Sequence, residues 1–246
     1  MEVHHHPHVE KKSLKEYLLE GLMIFIAVTM GFLAESLREN ISDREKETEY
    51  IKSFIDNLRQ DTTNLSSSIR DNKRKADGLD SLINLSFKNI NEPLNKQKLY
   101  AFSSEYVSFY SVFISDDATM MQLKNSGGLR YIRRSHVADS IAQYDLQMRN
   151  IYAAEGPYLK ASSSAVDEVQ ELMISTWYKD TLYFKNGSFT GKELPLIDND
   201  PKKIKIFFNK ISYEHGWTGN YIYNLQQALP YTIRLIAFLK KEYDID

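Results

Sequence analysis

The 246-residue chain has no cysteine. Disulfides, thiolate metal sites and cysteine nucleophiles are therefore excluded together. Glycine and proline are scarce, at 10 and 6 residues, which argues for long regular elements rather than a loop-rich β fold. Charge of one sign is also lacking: 31 Lys and Arg against 33 Asp and Glu leave a net charge of −2. With no extended basic stripe either, nothing points to nucleic acid. The sequence contains no Walker loop, no G-x-G-x-x-G, no G-x-S-x-G and no H-E-x-x-H. No catalytic residue, metal site or cofactor is assigned, and the expectation is a protein that is not an enzyme.

What the chain does have is one long apolar run, YLLEGLMIFIAVTMGFLAESL, at residues 17–37. Its uncharged centre, Gly21 to Ala34, is about 21 Å of helix, short of a hydrocarbon core of about 30 Å. Extended to Tyr17 and Leu37 it reaches roughly 31 Å, with Glu20 and Glu35 near the two headgroup regions where a carboxylate is tolerated. Apolar residues cover every face of this helix, so it has no polar stripe for water. A cleaved signal fits poorly, because Phe32 occupies the −3 position before Ala34, where a small residue is required. The expectation is an uncleaved transmembrane helix at 17–37, between a His-rich tail (1–16) and an extramembrane domain (38–246). Lysines precede the span and a large domain follows it, so the expected topology places the N-terminus in the cytoplasm and the domain in the periplasm of a bacterial inner membrane.

Ala27, Gly31 and Ala34 form a small-xxx-small track on one face of the span. Glu20 and Glu35 lie beside that track, so both carboxylates line the same self-association seam. The bland account is that both glutamates snorkel at the boundaries. The functional alternative is an ion-conducting or motor-coupled subunit that uses Glu20 or Glu35. In the tail, His4, His5, His6 and His8 are a compositional metal signal, although Pro7 imposes no helical ligand spacing.

Beyond the span the helical period continues. Ile51, Ile55, Leu58, Thr62, Leu65 and Ile69 follow at spacings of four, three, four, three and four, a heptad seam suited to a coiled coil or to packing inside a bundle. Asn91-Glu92-Pro93 ends that helix. Further helices are predicted over Leu94–Phe113 and Ala118–Asn125, the latter stopped by Gly127-Gly128. Another starts at Ser135 and is kinked or broken at Gly156-Pro157. Residues 179–200 read as a loop or short hairpin at Asn186-Gly187. Asp200-Pro201 opens a further helix, and a last one runs from Thr218 to Tyr243 with a kink at Pro230. His215 falls in the loop between these two. His136, the Arg130/Arg133/Arg134 cluster and the Asp116-Asp117 and Asp198/Asp200 pairs read as caps or solvated surface rather than as sites.

Three segments, HHHPHVEKKSLKEYLLEGLMIFIAVTMGFLAESLREN, MMQLKNSGGLRYIRRSHVADSIAQY and PLIDNDPKKIKIFFNKISY, carry a resemblance that runs from end to end of the chain. With them it resembles a family of single-span, mostly helical membrane proteins of Bacteroidota with no assigned function. The resemblance implies a membrane-anchored helical protein and transfers no catalytic residue. The expected class is all-α: an N-terminal transmembrane helix continuing into a long helix and a helical bundle. The expected role is an interaction or sensing module, homo-oligomeric, with the lipid bilayer and an envelope protein as partners.

Overall fold

A computed structural model describes residues 13–125, 127–180, 182–186 and 188–245. The histidines at positions 4, 5, 6 and 8 lie outside the described residues. The chain divides into two units, Met1–Tyr50 and Ile51–Asp246. Five α-helices account for almost all of the regular structure among the described residues: α1 (Leu14–Ile83), α2 (Pro93–Phe102), α3 (Ala118–Asn125), α4 (Ser135–Leu172) and α5 (Pro201–Tyr243). A two-stranded ribbon, β1 (Phe184–Lys185) and β2 (Ser188–Phe189), completes them. The all-α class expected from the sequence is the class observed.

α1 starts at Leu14, three residues ahead of the expected span. Ser13-Leu14-Lys15-Glu16 explains this: the Glu16 carboxylate accepts the Ser13 N–H at 2.8 Å, one half of a capping box. In the first unit the apolar side chains of α1 are exposed, from Leu22 and Phe25 to Phe32 and Leu33.

In the second unit the core is built by α1, α4 and α5. Hydrogen bonds fix their directions. Asp61 meets Tyr144 and Lys75 meets Ser162, so α1 and α4 run parallel. Tyr231 meets Ser140 and Lys210 meets Ser164, so α5 runs antiparallel to α4. Two parallel helices in sequence need a return path between them. Here α2 and an extended strap at residues 108–117 provide it, with α3 closing the far end.

Each long helix buries a strict three–four spacing. On α1 it is Ile51, Phe54, Leu58, Asp61, Leu65, Ser68, Asn72, Lys75, Leu79 and Leu82, all buried. On α5 it runs without a break from Phe207 through Glu214 and Thr218 to Leu239. This is why α5 is one helix of 43 residues and not two, and why His215 is helical rather than in a loop. Asp200 caps it as expected, accepting the Lys202 N–H at 2.9 Å.

Three further boundaries differ from the sequence reading. α1 gives way to a 3₁₀ turn at Asn84–Phe87, before Asn91. α4 is not broken at Pro157 but continues through it, whereas the continuation of α5 through Pro230 is as the sequence reading has it. A proline orphans the carbonyl four residues back, and those residues, Ala153 and Gln226, are both exposed. The third difference is α2, which ends at Phe102, passes through a π turn at Ser103–Val107 and then leaves helical conformation. Asn186, with φ 52°, turns the ribbon, which is anchored by Phe189 stacked on Trp177 at 5.2 Å.

Gly78 sits where the Tyr106 ring crosses α1. A Cβ there would stand 2.1 Å from the ring's Cγ, so alanine must displace the aromatic. We expect Gly78→Ala to destabilise the protein by about 1–3 kcal/mol in urea unfolding followed by circular dichroism. In a Tyr106→Ser background the same change should stabilise by up to about 1 kcal/mol, the ordinary helix preference for alanine.

Candidate functional site

The strap at 108–117 is extended and pairs with no strand, so each of its buried backbone groups needs a side-chain partner. α1 supplies most of them, one turn after another. Lys75 Nζ donates to Phe109 O at 2.5 Å, Asn72 Nδ2 to Ser111 O at 2.8 Å and Asn64 Nδ2 to Ile114 O at 3.0 Å. The Asp61 carboxylate accepts the Asp116 N–H at 2.7 Å and the Ser115 hydroxyl at 2.8 Å. Asn57 Oδ1 takes the Thr119 N–H at 3.2 Å, in the first turn of α3. From the other side, Tyr158 Oη accepts the Ser111 N–H and Tyr221 Oη the Phe113 N–H, at 3.3 and 2.8 Å. These two phenol rings stack face to face at 4.8 Å. Tyr144 donates to Asp61. Burial raises the Asp61 pKa, while Tyr144, Asp116 and Ser115 oppose the rise through their hydrogen bonds.

At one end of this zipper lies an ion pair with no solvent exposure on either side chain. Lys75 Nζ is 2.7 Å from Glu214 Oε1, and it also donates to Ser162 Oγ at 3.1 Å. Glu214 Oε2 has no hydrogen-bond partner among the described residues. Burial dominates both groups: it pushes the Glu214 carboxyl up to about 7 against the opposing pull of Lys75, and it lowers the Lys75 ammonium. Asn72, Lys75, Ser162 and Glu214 thus form a polar layer. It separates one apolar cluster, which includes Ile51–Ile69 and the first half of α4, from another that includes Leu79, Trp177 and Phe207.

Beside the strap's first residue is a hollow of about 240 Å³. Tyr100, Ser103, Met173 and Trp177 form its buried floor, and Ser104, Ser108, Gln170 and Tyr178 stand exposed at its rim. Among the described residues, no charged side chain lines it. The Tyr100 hydroxyl donates to Pro195 O at 2.5 Å and accepts the Ile174 N–H at 3.1 Å, fixing the turn that carries Trp177. Ser103 Oγ is buried and has no hydrogen-bond partner among the described residues.

The residues singled out in the sequence fall in different places. Ile51, Ile55, Leu58, Leu65 and Ile69 are buried in the chain's own core against α4 and α5, so they pack inside the bundle. Glu20, Ala27, Gly31, Ala34 and Glu35 are exposed, and Glu35 takes a two-point hydrogen bond from Arg38, at 2.5 and 3.0 Å. His136 and Arg134 share Glu242 at 2.9 and 3.0 Å. His215 lies 3.2 Å from Asp80. Asp198 pairs with Lys203 at 2.9 Å.

Lys75, Glu214, Asp61 and Asn72 were not picked out. The signal that finds them is the three–four spacing itself, followed through polar positions. Family models, curated proteins and solved structures yield no match to this chain.

Replacing one member of the Lys75–Glu214 pair strands the other, at a cost of about 3–5 kcal/mol. Glu214→Leu alone should lose about that much stability, and adding Lys75→Met to it should recover most of the loss. The pH dependence has a definite sign. Below the ordinary carboxyl pKa of 4.5 both folded and unfolded chains hold the Glu214 proton, and its stabilising contribution is complete. As pH rises towards about 7 the unfolded chain loses that proton first, so stability falls, and above about 7 it levels off. The difference between wild type and Glu214→Gln, measured by denaturant unfolding across that range, isolates the effect.

Proposed function

We propose that the chain is a single-pass membrane protein whose helical bundle is a non-catalytic interaction and sensing module. The observation that carries this reading is the exposure of the apolar run. None of the apolar window in the N-terminal part of α1 is buried, and by length and composition that helix is able to cross a membrane. Phe25 and Phe32 are 66% and 73% exposed. Left in water, each such side chain forgoes roughly 1.5–3 kcal/mol of transfer free energy, and a bilayer supplies it.

The Glu35–Arg38 pair supports a boundary at the end of the span, because a neutralised carboxylate is cheaper to hold at the headgroups. It also weighs against an ion-conducting role for Glu35, which would need that carboxylate available to an ion, and leaves Glu20 as the carboxylate on which that alternative rests. In this reading the N-terminus is cytoplasmic and the bundle periplasmic, in a bacterial inner membrane, because a short lysine-bearing tail precedes the span and a large domain follows it. Copies associate along the Ala27, Gly31 and Ala34 face, where a Cβ on Gly31 would meet nothing within its own chain. The sensing element rests on the hollow at Tyr100 and Trp177, concave and mixed in polarity as binding pockets are.

Fusing a periplasm-active phosphatase or a cytoplasm-fluorescent reporter after Asp246 tests the anchor and its direction together. Phosphatase activity that stays in the membrane fraction is the expected result. Membrane-bound fluorescence would reverse the orientation, and reporter signal in the soluble fraction would remove the anchor.

A further inference from the structure

We propose that the hollow floored by Tyr100, Ser103 and Trp177 binds a small neutral polyol of monosaccharide size. This names a ligand class for the sensing role above and rests on that reading for its biological purpose. The chemistry of the hollow sets the class. Among the described residues, no Lys, Arg, Asp or Glu lines it, so a charged ligand would lose its hydration with no counter-charge in return. The polar groups it does offer are hydroxyls and one amide, from Ser103, Ser104, Ser108, Ser175, Gln170 and Tyr178. Such groups both donate and accept, which suits a molecule whose own groups are hydroxyls.

Size agrees. An apolar cavity of about 150 Å³ takes benzene, so about 240 Å³ takes a six-membered ring with its substituents.

Two further features are left without a purpose by the fold alone. Ser103 Oγ is buried at the floor with no partner among the described residues, a state that costs stability unless something completes it. The π turn at Ser103–Val107 joins Ser108 N–H to Ser103 O at 3.4 Å, which puts Ser108 one turn above Ser103. Single π turns inside helical segments are frequent at functional sites. Here the turn gathers three of the hydroxyls on one wall.

The sequence provides its own probe. Trp177 and Trp217 are the two tryptophans, so Trp217→Phe leaves a single reporter in the floor of the hollow. The full chain in phosphatidylcholine nanodiscs, free of sugar detergents, is titrated with glucose and N-acetylglucosamine, and with glucuronate and glucosamine as charged analogues of the same size. We expect a saturable change in Trp177 emission with at least one neutral sugar. Both charged analogues should bind at least about tenfold more weakly, and Ser103→Ala or Gln170→Ala should weaken the neutral sugar by a similar factor. Gln170 is exposed, so that variant keeps the test open should Ser103→Ala fail to fold.

No saturable change with either neutral sugar, in protein whose circular dichroism is unaltered, overturns the proposal. Equal binding of a charged analogue overturns the ligand class, and unaltered affinity in both variants overturns the site. Each of these failures would leave the topology result intact. A failed anchor would leave sugar binding by the bundle intact.

Discussion

An extended segment buried against a helix must find a partner for every backbone N–H and C=O it takes out of water. Residues 108–117 face that requirement, because α1 and α4 run parallel and the chain has to come back between them. The solution is a row of polar side chains on α1, buried at Asp61, Asn72 and Lys75 and half-buried at Asn64. Asp61, Asn64, Asn72 and Lys75 reach the strap at Asp116, Ile114, Ser111 and Phe109 in turn. The order of the partners reverses along the strap, as an antiparallel return demands.

The arrangement carries a cost and a benefit. Lys75 at a core position needs a counter-charge, and α5 presents Glu214 at the same level of the bundle. Buried pairs of this kind seldom outperform apolar packing in stability. What this one does is join α1 to α4 and α5 at one level, through Ser162 and Glu214. It also divides the core in two. The Trp177 side of that division holds the hollow, and the strap leaves the layer at Phe109, next to the hollow's Ser108.

Much of the fold was legible in the sequence, and the failures share one cause. α3, its glycine stop, the ribbon turn at Asn186 and the Asp200 cap follow local chemistry and lie where that chemistry puts them. The heptad legible in α1 shares Ile51, Leu58 and Leu65 with the buried seam but departs from it at Ile55, Thr62 and Ile69, because the seam itself turns polar at Asp61, Ser68, Asn72 and Lys75. The same substitution of polar for apolar at Glu214 and Thr218 made α5 look like two helices. The strap was illegible for a complementary reason: its aromatic residues have a helical period, and only partners from α1, α4 and α5 hold it extended. The hollow could not be read either, since its walls come from α2, α4 and the turn that follows α4.

Native-state hydrogen exchange on the strap tests the central claim most directly. The amides of Ser111, Phe113 and Asp116 belong to no helix or strand, yet each donates to a buried side-chain oxygen. They should exchange as slowly as the amides of the α4 and α5 core, opening only with global unfolding. Exchange as fast as that of the exposed ribbon at Lys185 and Ser188 would show that the strap is not held by α1, and the account of the polar seam would fail.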